Sequence, residues 1–213
     1  MNGGCLFPVE YWAEMMRAIR RNCEDDVKSA LEYCDPHYNN NQALYVAVNC
    51  GNPVVVNMLL AKMYTNALFV FEWGELLFDA CSQNHASVVD LLLTHGVYKE
   101  TDFQSALCVA IHNHSTQAVE RLCPHLSQNV LGWGLIWAGD TLPPSDPIYD
   151  PLLLHIQGHA FASMDFSGQP YSSQRRAEIE KNVEQACANF SKKNITVHVL
   201  NDEEHNTRQR RRL

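Results

Sequence analysis

The chain of 213 residues contains no apolar run near the roughly 20 residues that a membrane-spanning helix requires, so no such helix is expected. Its opening residues, 1–8, lack the basic start and small-residue cleavage pattern of a signal peptide, and a cytoplasmic location is the expectation. Eight cysteines are present without a single Cys-x-x-Cys pair, which removes the common zinc and thioredoxin-type motifs. Cys23, Cys34, Cys50, Cys81, Cys108 and Cys123 fall inside or beside apolar helical patterns, where a thiol packs as a small hydrophobe. A phosphate loop, a dinucleotide fingerprint and a serine elbow are all missing. His155 and His159 stand four apart, but no Glu follows His155 as in a zinc protease, and Gly158 weakens the helix they would share. No metal, cofactor or catalytic residue is therefore expected, and the chain is not read as an enzyme.

Basic charge is scarce in most of the chain. Residues 172–213 carry nine Lys or Arg against six Asp or Glu, a balance of +3, while the remainder is −11 and the whole −8. The body should repel nucleic acid and anionic membrane, and neither is expected as a partner. The end of the chain, Thr207 to Leu213, is rich in arginine and reads as a basic solvated terminus, with nuclear import as the alternative.

What the sequence does contain is a repeat. Four segments align on Ala18, Ala47, Ala80 and Ala110, which are 29, 33 and 30 residues apart. Nine positions after each alanine stands a valine: Val27, Val56, Val89 and Val119. Small or apolar pairs follow at twelve and thirteen: Ala30 with Leu31, Leu59 with Leu60, Leu92 with Leu93, and Leu122 with Cys123. These spacings predict a short helix carrying the alanine, a tight turn, and a second helix carrying the valine and the leucine pair. Asn22, Gly51, Asn84 and His114 occupy the turn, four residues after each alanine, and Gly and Asn are the residues most at ease with a positive φ. Pro53 then fits the first turn of a second helix.

These segments resemble the ankyrin repeat, whose pattern is Thr-Pro-Leu-His-x-Ala, then Gly-His, then Ile-Val-x-x-Leu-Leu. The Leu-x-x-Ala element stands as Leu44 with Ala47, Leu77 with Ala80, and Leu107 with Ala110, with Met15 and Ala18 in the first repeat. Residues 84–96 match best. The signature Thr-Pro and His are replaced throughout, by Gln42, Ala43 and Tyr45, by Glu75, Leu76 and Phe78, and by Ser105, Ala106 and Cys108. The resemblance implies an all-α solenoid of four to five helix-turn-helix repeats at about 13–42, 43–75, 76–105 and 106–126, with a degenerate fifth at 127–158. Gly51, Asn84, Ala47, Ala80, Ala110, Val89 and Leu92 would be its structural positions.

Beyond the repeats the pattern changes. Leu135 and Ala138 fit a fifth first helix, and Asp150 and Pro151 would open its partner, with a proline-rich loop at 141–147 between them. Residues 159–213 form a C-terminal appendage. In it, 172–190 read as an amphipathic helix capped by Ser172 or Ser173, with Ala177, Ile179, Val183, Ala186, Cys187 and Phe190 on one side. Residues 195–200 alternate like a strand, which 152–156 could pair in a small α/β arrangement, and 201–213 read as a disordered tail.

With no catalytic set, surface carries the functional expectation. Ankyrin arrays bind proteins through the turn tips and the first-helix face, which map here onto tips at 37–41, 70–74 and 100–104. The tips hold Tyr38, Phe71, Trp73 and Phe103, and aromatic anchors are what binding surfaces enrich. The first-helix face would add Arg20, Arg21, Asn49, Ser82, Gln83 and His112. The expected activity is binding of one protein partner as adaptor or inhibitor, by a chain that is a monomer in isolation. The degenerate signatures also suit a pathogen protein acting on a host factor. The alternative is a repeat scaffold presenting a small catalytic or ligand-binding C-terminal appendage.

Overall fold

The computed structural model describes residues 9–63, 72–156, 164–166 and 170–210, with side chains from Glu10 to Lys193. All regular structure among the described residues is helical. Eight helices occupy the N-terminal compact unit, Met1–Leu122: α1 Val9–Arg20, α2 Glu24–Ala30, α3 Tyr38–Cys50, α4 Pro53–Met63, α5 Trp73–Ser82, α6 Ala86–His95, α7 Glu100–His112 and α8 Thr116–Leu122. They form four pairs that stack in chain order. The first helices pack on one another, α1 on α3, α3 on α5 and α5 on α7, and the second helices do the same, α2 on α4, α4 on α6 and α6 on α8.

The turn inside each pair follows one rule. Asn22, Gly51, Asn84 and His114 all adopt left-handed backbone, with φ of 54°, 73°, 57° and 54°. In three of the pairs the N–H one residue past the hinge donates to the carbonyl of the anchoring alanine: Cys23 to Ala18 at 3.0 Å, His85 to Ala80 at 3.0 Å and Ser115 to Ala110 at 2.8 Å. This bond ends a helix only if the residue before the donor is left-handed, which selects Gly and Asn there. The choice between those two is also local. A Cβ on Gly51 would run into the His85 ring, which reaches across from the next pair to the Asn49 carbonyl at 3.0 Å. Asn84 uses its side chain, Oδ1 accepting the Ala118 N–H of the following pair at 3.0 Å.

Packing follows from the offsets. Ala18 is nearly buried, and Ala47, Ala80 and Ala110 are wholly so. Val27, Val56, Val89 and Val119 are also fully buried, as are Leu59, Leu60, Leu92 and Leu122. A small residue at the alanine position lets successive first helices approach, and the branched residues fill the layer between first and second helices. Tyr45–Glu75, Asn49–Asp79, Asn113–Ser82 and Arg121–Asp90 connect residues 30 or 31 apart and tie adjacent pairs along their edges.

Two tips differ from their expected form. Trp73 opens α5, and 100–104 form the first turn of α7, so these aromatics sit on helices rather than in loops. The Asp102 carboxylate accepts the Lys99 N–H at 2.8 Å and so starts α7 early, as an acid in a first turn does. The tip at 37–41 holds three consecutive left-handed residues, Asn39, Asn40 and Asn41, before regular helix begins at Gln42. Asparagine is the side chain best able to bear that conformation, at a cost of roughly 1 kcal/mol per residue.

The second compact unit is Cys123–Leu213. A 3-10 turn at Cys123–His125 leads to α9 Gln128–Thr141, a loop with three prolines, α10 Tyr149–His155 and α11 Ser173–Arg210. Residues 127–158, read as a degenerate fifth repeat, thus group with α11. Helix α10 starts at Tyr149, one residue before the expected Asp150 cap, because Asp146 Oδ1 takes the Ile148 N–H at 3.0 Å and turns the chain earlier. Ser172 caps α11 through the Arg175 N–H at 3.2 Å. Ile179, Val183 and Ala186 are buried and Cys187 and Phe190 half-buried, whereas Ala177 is exposed, one turn before the helix meets α9. The expected strand at 195–200 is helix, as is 201–210 in place of the expected disorder. No Gly or Pro interrupts 173–210, and the proposed strand partner, 152–156, is itself the end of α10 and its cap. A strand without a ladder has nothing to hold it extended.

Helices α9 and α11 touch at Gly139. A Cβ there would lie 2.8 Å from Ile179 Cγ2 and 3.1 Å from the Ile179 carbonyl oxygen. Asn182 donates to the Gly139 carbonyl at 2.9 Å, and Arg175 binds the Asp140 carboxylate and carbonyl, each at 2.6 Å.

Leu92→Ala should lower the stability of the intact chain by about 2–5 kcal/mol in urea unfolding, through lost burial and the cavity left behind. Gly51→Val should cost about 1–3 kcal/mol, since it joins left-handed strain to a collision with His85. Gly139→Ala should cost a comparable amount, about 1–3 kcal/mol, by forcing α9 from α11. Unchanged urea midpoints would contradict the hinge and packing assignments.

Candidate functional site

Three successive first helices leave a groove of about 970 Å³ on the N-terminal unit. Its walls are Tyr45 of α3, the start and outer face of α5 from Glu72 to Asp79, the connection Val97 to Lys99, and Asp102 and Ser105 of α7. The repeat generates this lining directly. Tyr45 and Phe78 stand two residues before their anchoring alanines, and Glu75 and Ser105 five before theirs, so each position recurs on the outer side of successive helices.

Two glycines make room for the walls. Gly74 has the Asp102 carboxylate where its Cβ would be, 2.8 Å from Cγ, which brings the acid of α7 over the start of α5. Gly96 likewise leaves space for the Tyr98 phenol, whose hydroxyl donates to the Leu92 carbonyl at 2.8 Å and closes the end of α6. Phe103 backs the Tyr98 ring, centroid to centroid 5.4 Å. Phe78 is 40% exposed, an unusual amount for a phenylalanine amid a polar helix face.

The groove is acidic. Glu72, Glu75, Asp79 and Asp102 face one ammonium, Lys99, and none of the four carboxylates is in an ion pair among the described residues. The Tyr45 hydroxyl donates to Glu75 Oε2 at 2.9 Å. Burial holds its phenol well above the usual range, followed by that hydrogen bond and by the charges of Glu75, Glu72 and Asp79. Asn49 Nδ2 donates to Asp79 Oδ2 at 3.3 Å. The Asp79 carboxyl is nevertheless raised, first by burial and then by Glu75, with the Asn49 bond acting the other way. Acid is thus concentrated here against its own repulsion.

The residues expected from sequence divide into three groups. Trp73 lines the groove, Phe103 supports its wall through Tyr98, and Asn49 holds Asp79. Ser82 serves the stack, its hydroxyl donating to the Asp79 carbonyl at 2.9 Å and its own carbonyl accepting from Asn113 at 3.0 Å. Tyr38, Arg20, Arg21, Gln83 and His112 are exposed but stand apart from the groove. Tyr38 rests edge-on against Trp12 at 5.1 Å, and Arg21 lines a smaller hollow with Tyr11 and Tyr33. Phe71 and His159 lie outside the described residues. His155 bonds the Pro151 carbonyl through Nδ1 at 2.9 Å. Tyr45, Glu75, Phe78, Asp79, Tyr98 and Asp102 were not singled out as a surface, although the first and third both stand two residues before an anchoring alanine, where an aromatic recurs 33 residues on.

Comparison with family models, with curated proteins and with solved structures returns no match. Among the described residues no helix is long and apolar enough to cross a membrane. None of their His, Cys, Asp and Glu side chains form a group of three able to hold a metal ion.

Glu75→Gln keeps an acceptor for the Tyr45 hydroxyl but removes a charge. The Tyr45 phenol should then ionise at lower pH than in the parent chain, still above an ordinary tyrosine because burial persists. A spectrophotometric titration with Tyr45→Phe as blank measures the shift, and no change would mean that Glu75 does not act on Tyr45.

Proposed function

We propose that the chain is an ankyrin-type array whose activity is the binding of another protein, and that the groove across α3, α5 and α7 is its contact surface. Four left-handed hinges at one offset, and helix pairs that pack first on first and second on second, support the array reading. The exposed aromatic and acidic groove carries the functional one. Phe78 is left 40% exposed on a concave surface beside the half-buried Tyr45, Trp73 and Tyr98, and aromatic anchors dominate interface energetics. The chain acts in this reading as an adaptor or inhibitor, masking or recruiting its partner without chemistry of its own.

Affinity capture with the intact chain, followed by identification of the bound protein and direct titration of it, tests the proposal. Phe78→Ala and Trp73→Ala should each weaken binding by more than about 1 kcal/mol with the circular dichroism unchanged. Deletion of 201–213 should leave the affinity as it was. Binding that survives both aromatic changes and is lost with the tail would move the activity to the C-terminal unit.

A further inference from the structure

We propose that the groove accepts a cationic segment of the partner, seating an arginine side chain against its aromatic lining with carboxylates around its guanidinium. This rests on the reading of the groove as a contact surface and adds the chemistry of what enters it. Charge complementarity carries it. Four carboxylates meet one ammonium in the groove, and none is neutralised by a cation among the described residues. The Asp79 carboxyl, raised by burial and then by the charge of Glu75, would be relieved by a cation placed beside it.

The rings select among cations. Tyr45, Trp73, Phe78 and Tyr98 line the same space as the acids. A cation above an aromatic face is held by the ring quadrupole, and a guanidinium, planar and weakly hydrated, can stack on a ring while its N–H fork meets a carboxylate. Extent argues for a peptide over a small ion: the lining runs from α3 through α5 to α7, across three helix pairs. Sign argues against nucleic acid or an anionic lipid surface, since the groove would repel either.

Titration of the full-length chain with a labelled, short Ala/Gly peptide bearing two adjacent central arginines, read by fluorescence anisotropy, tests this. Replacing both arginines with citrulline, which keeps shape and removes charge, should weaken binding by at least about tenfold. The double variant Glu75→Gln with Asp79→Asn, which preserves both acceptors, should weaken the arginine peptide comparably and leave the citrulline peptide unaffected. Asp25→Asn with Glu32→Gln removes the same charge from the first helix pair and should change nothing. Equal binding of the two peptides, abolished by Phe78→Ala, would overturn the cationic inference while leaving the groove as a contact surface. Failure of the arginine peptide to bind, or an equal effect of the distant charge pair, would overturn it as well. The proposed contact surface falls separately, if the captured protein ignores Phe78→Ala and Trp73→Ala.

Discussion

A left-handed residue four positions after an alanine turns the chain back on itself in every helix pair of the N-terminal unit. The residue after it, in three of the pairs, donates its N–H to the alanine carbonyl, a closure that permits no other backbone at the hinge. The direction of the second helix follows, and with it the inward aim of the valine and the leucine pair. The alanine is held to its size by the neighbouring first helix, and the hinge residue by what the next pair presses on it. At Gly51 that is the His85 ring, and at Asn84 the N–H of Ala118.

Stability and register come from different groups. Each buried valine or leucine contributes about 1.5–3 kcal/mol, whereas an exposed polar pair is worth about 0–1 kcal/mol. The inter-pair bonds of Tyr45, Asn49, Asn113 and Arg121 therefore add little to the core but fix how successive pairs meet along their edges. One consequence is the groove itself. Tyr45 and Asn49 hold Glu75 and Asp79 from the side, and the outer face between them is left to rings and to carboxylates that form no ion pair among the described residues.

Much of the helical order was legible because offsets of four, nine, twelve and thirteen from an alanine are set by backbone geometry, and each leaves a residue-type preference. The groove was not. Tyr45 and Phe78 read as departures from the pattern that the segments resemble, and their shared outward aim emerges only when consecutive helices lie side by side. The aromatics of the tips, Trp73 and Phe103, looked like loop residues because helix starts are marked weakly. The Asp102 cap that moves α7 forward is a single side-chain bond. In the C-terminal unit, alternation at 195–200 suggested a strand, but β-branched residues are only mildly averse to helix, and an uninterrupted run from Ser173 outweighs that preference.

The hinge also governs how the chain can lengthen. The alanines are 29, 33 and 30 residues apart while the step from alanine to hinge is always four, so all the variation falls outside that step. In the longest interval the second helix, α4, has 11 residues where α2 has 7. A residue added outside the alanine-to-hinge step leaves that spacing intact. Added between alanine and hinge, it would hand the left-handed position to a side chain unsuited to it and rotate the following valine by about 100° away from the core. Length can therefore change outside that step without moving the hinge, and the surface can diversify while the stack beneath keeps its register.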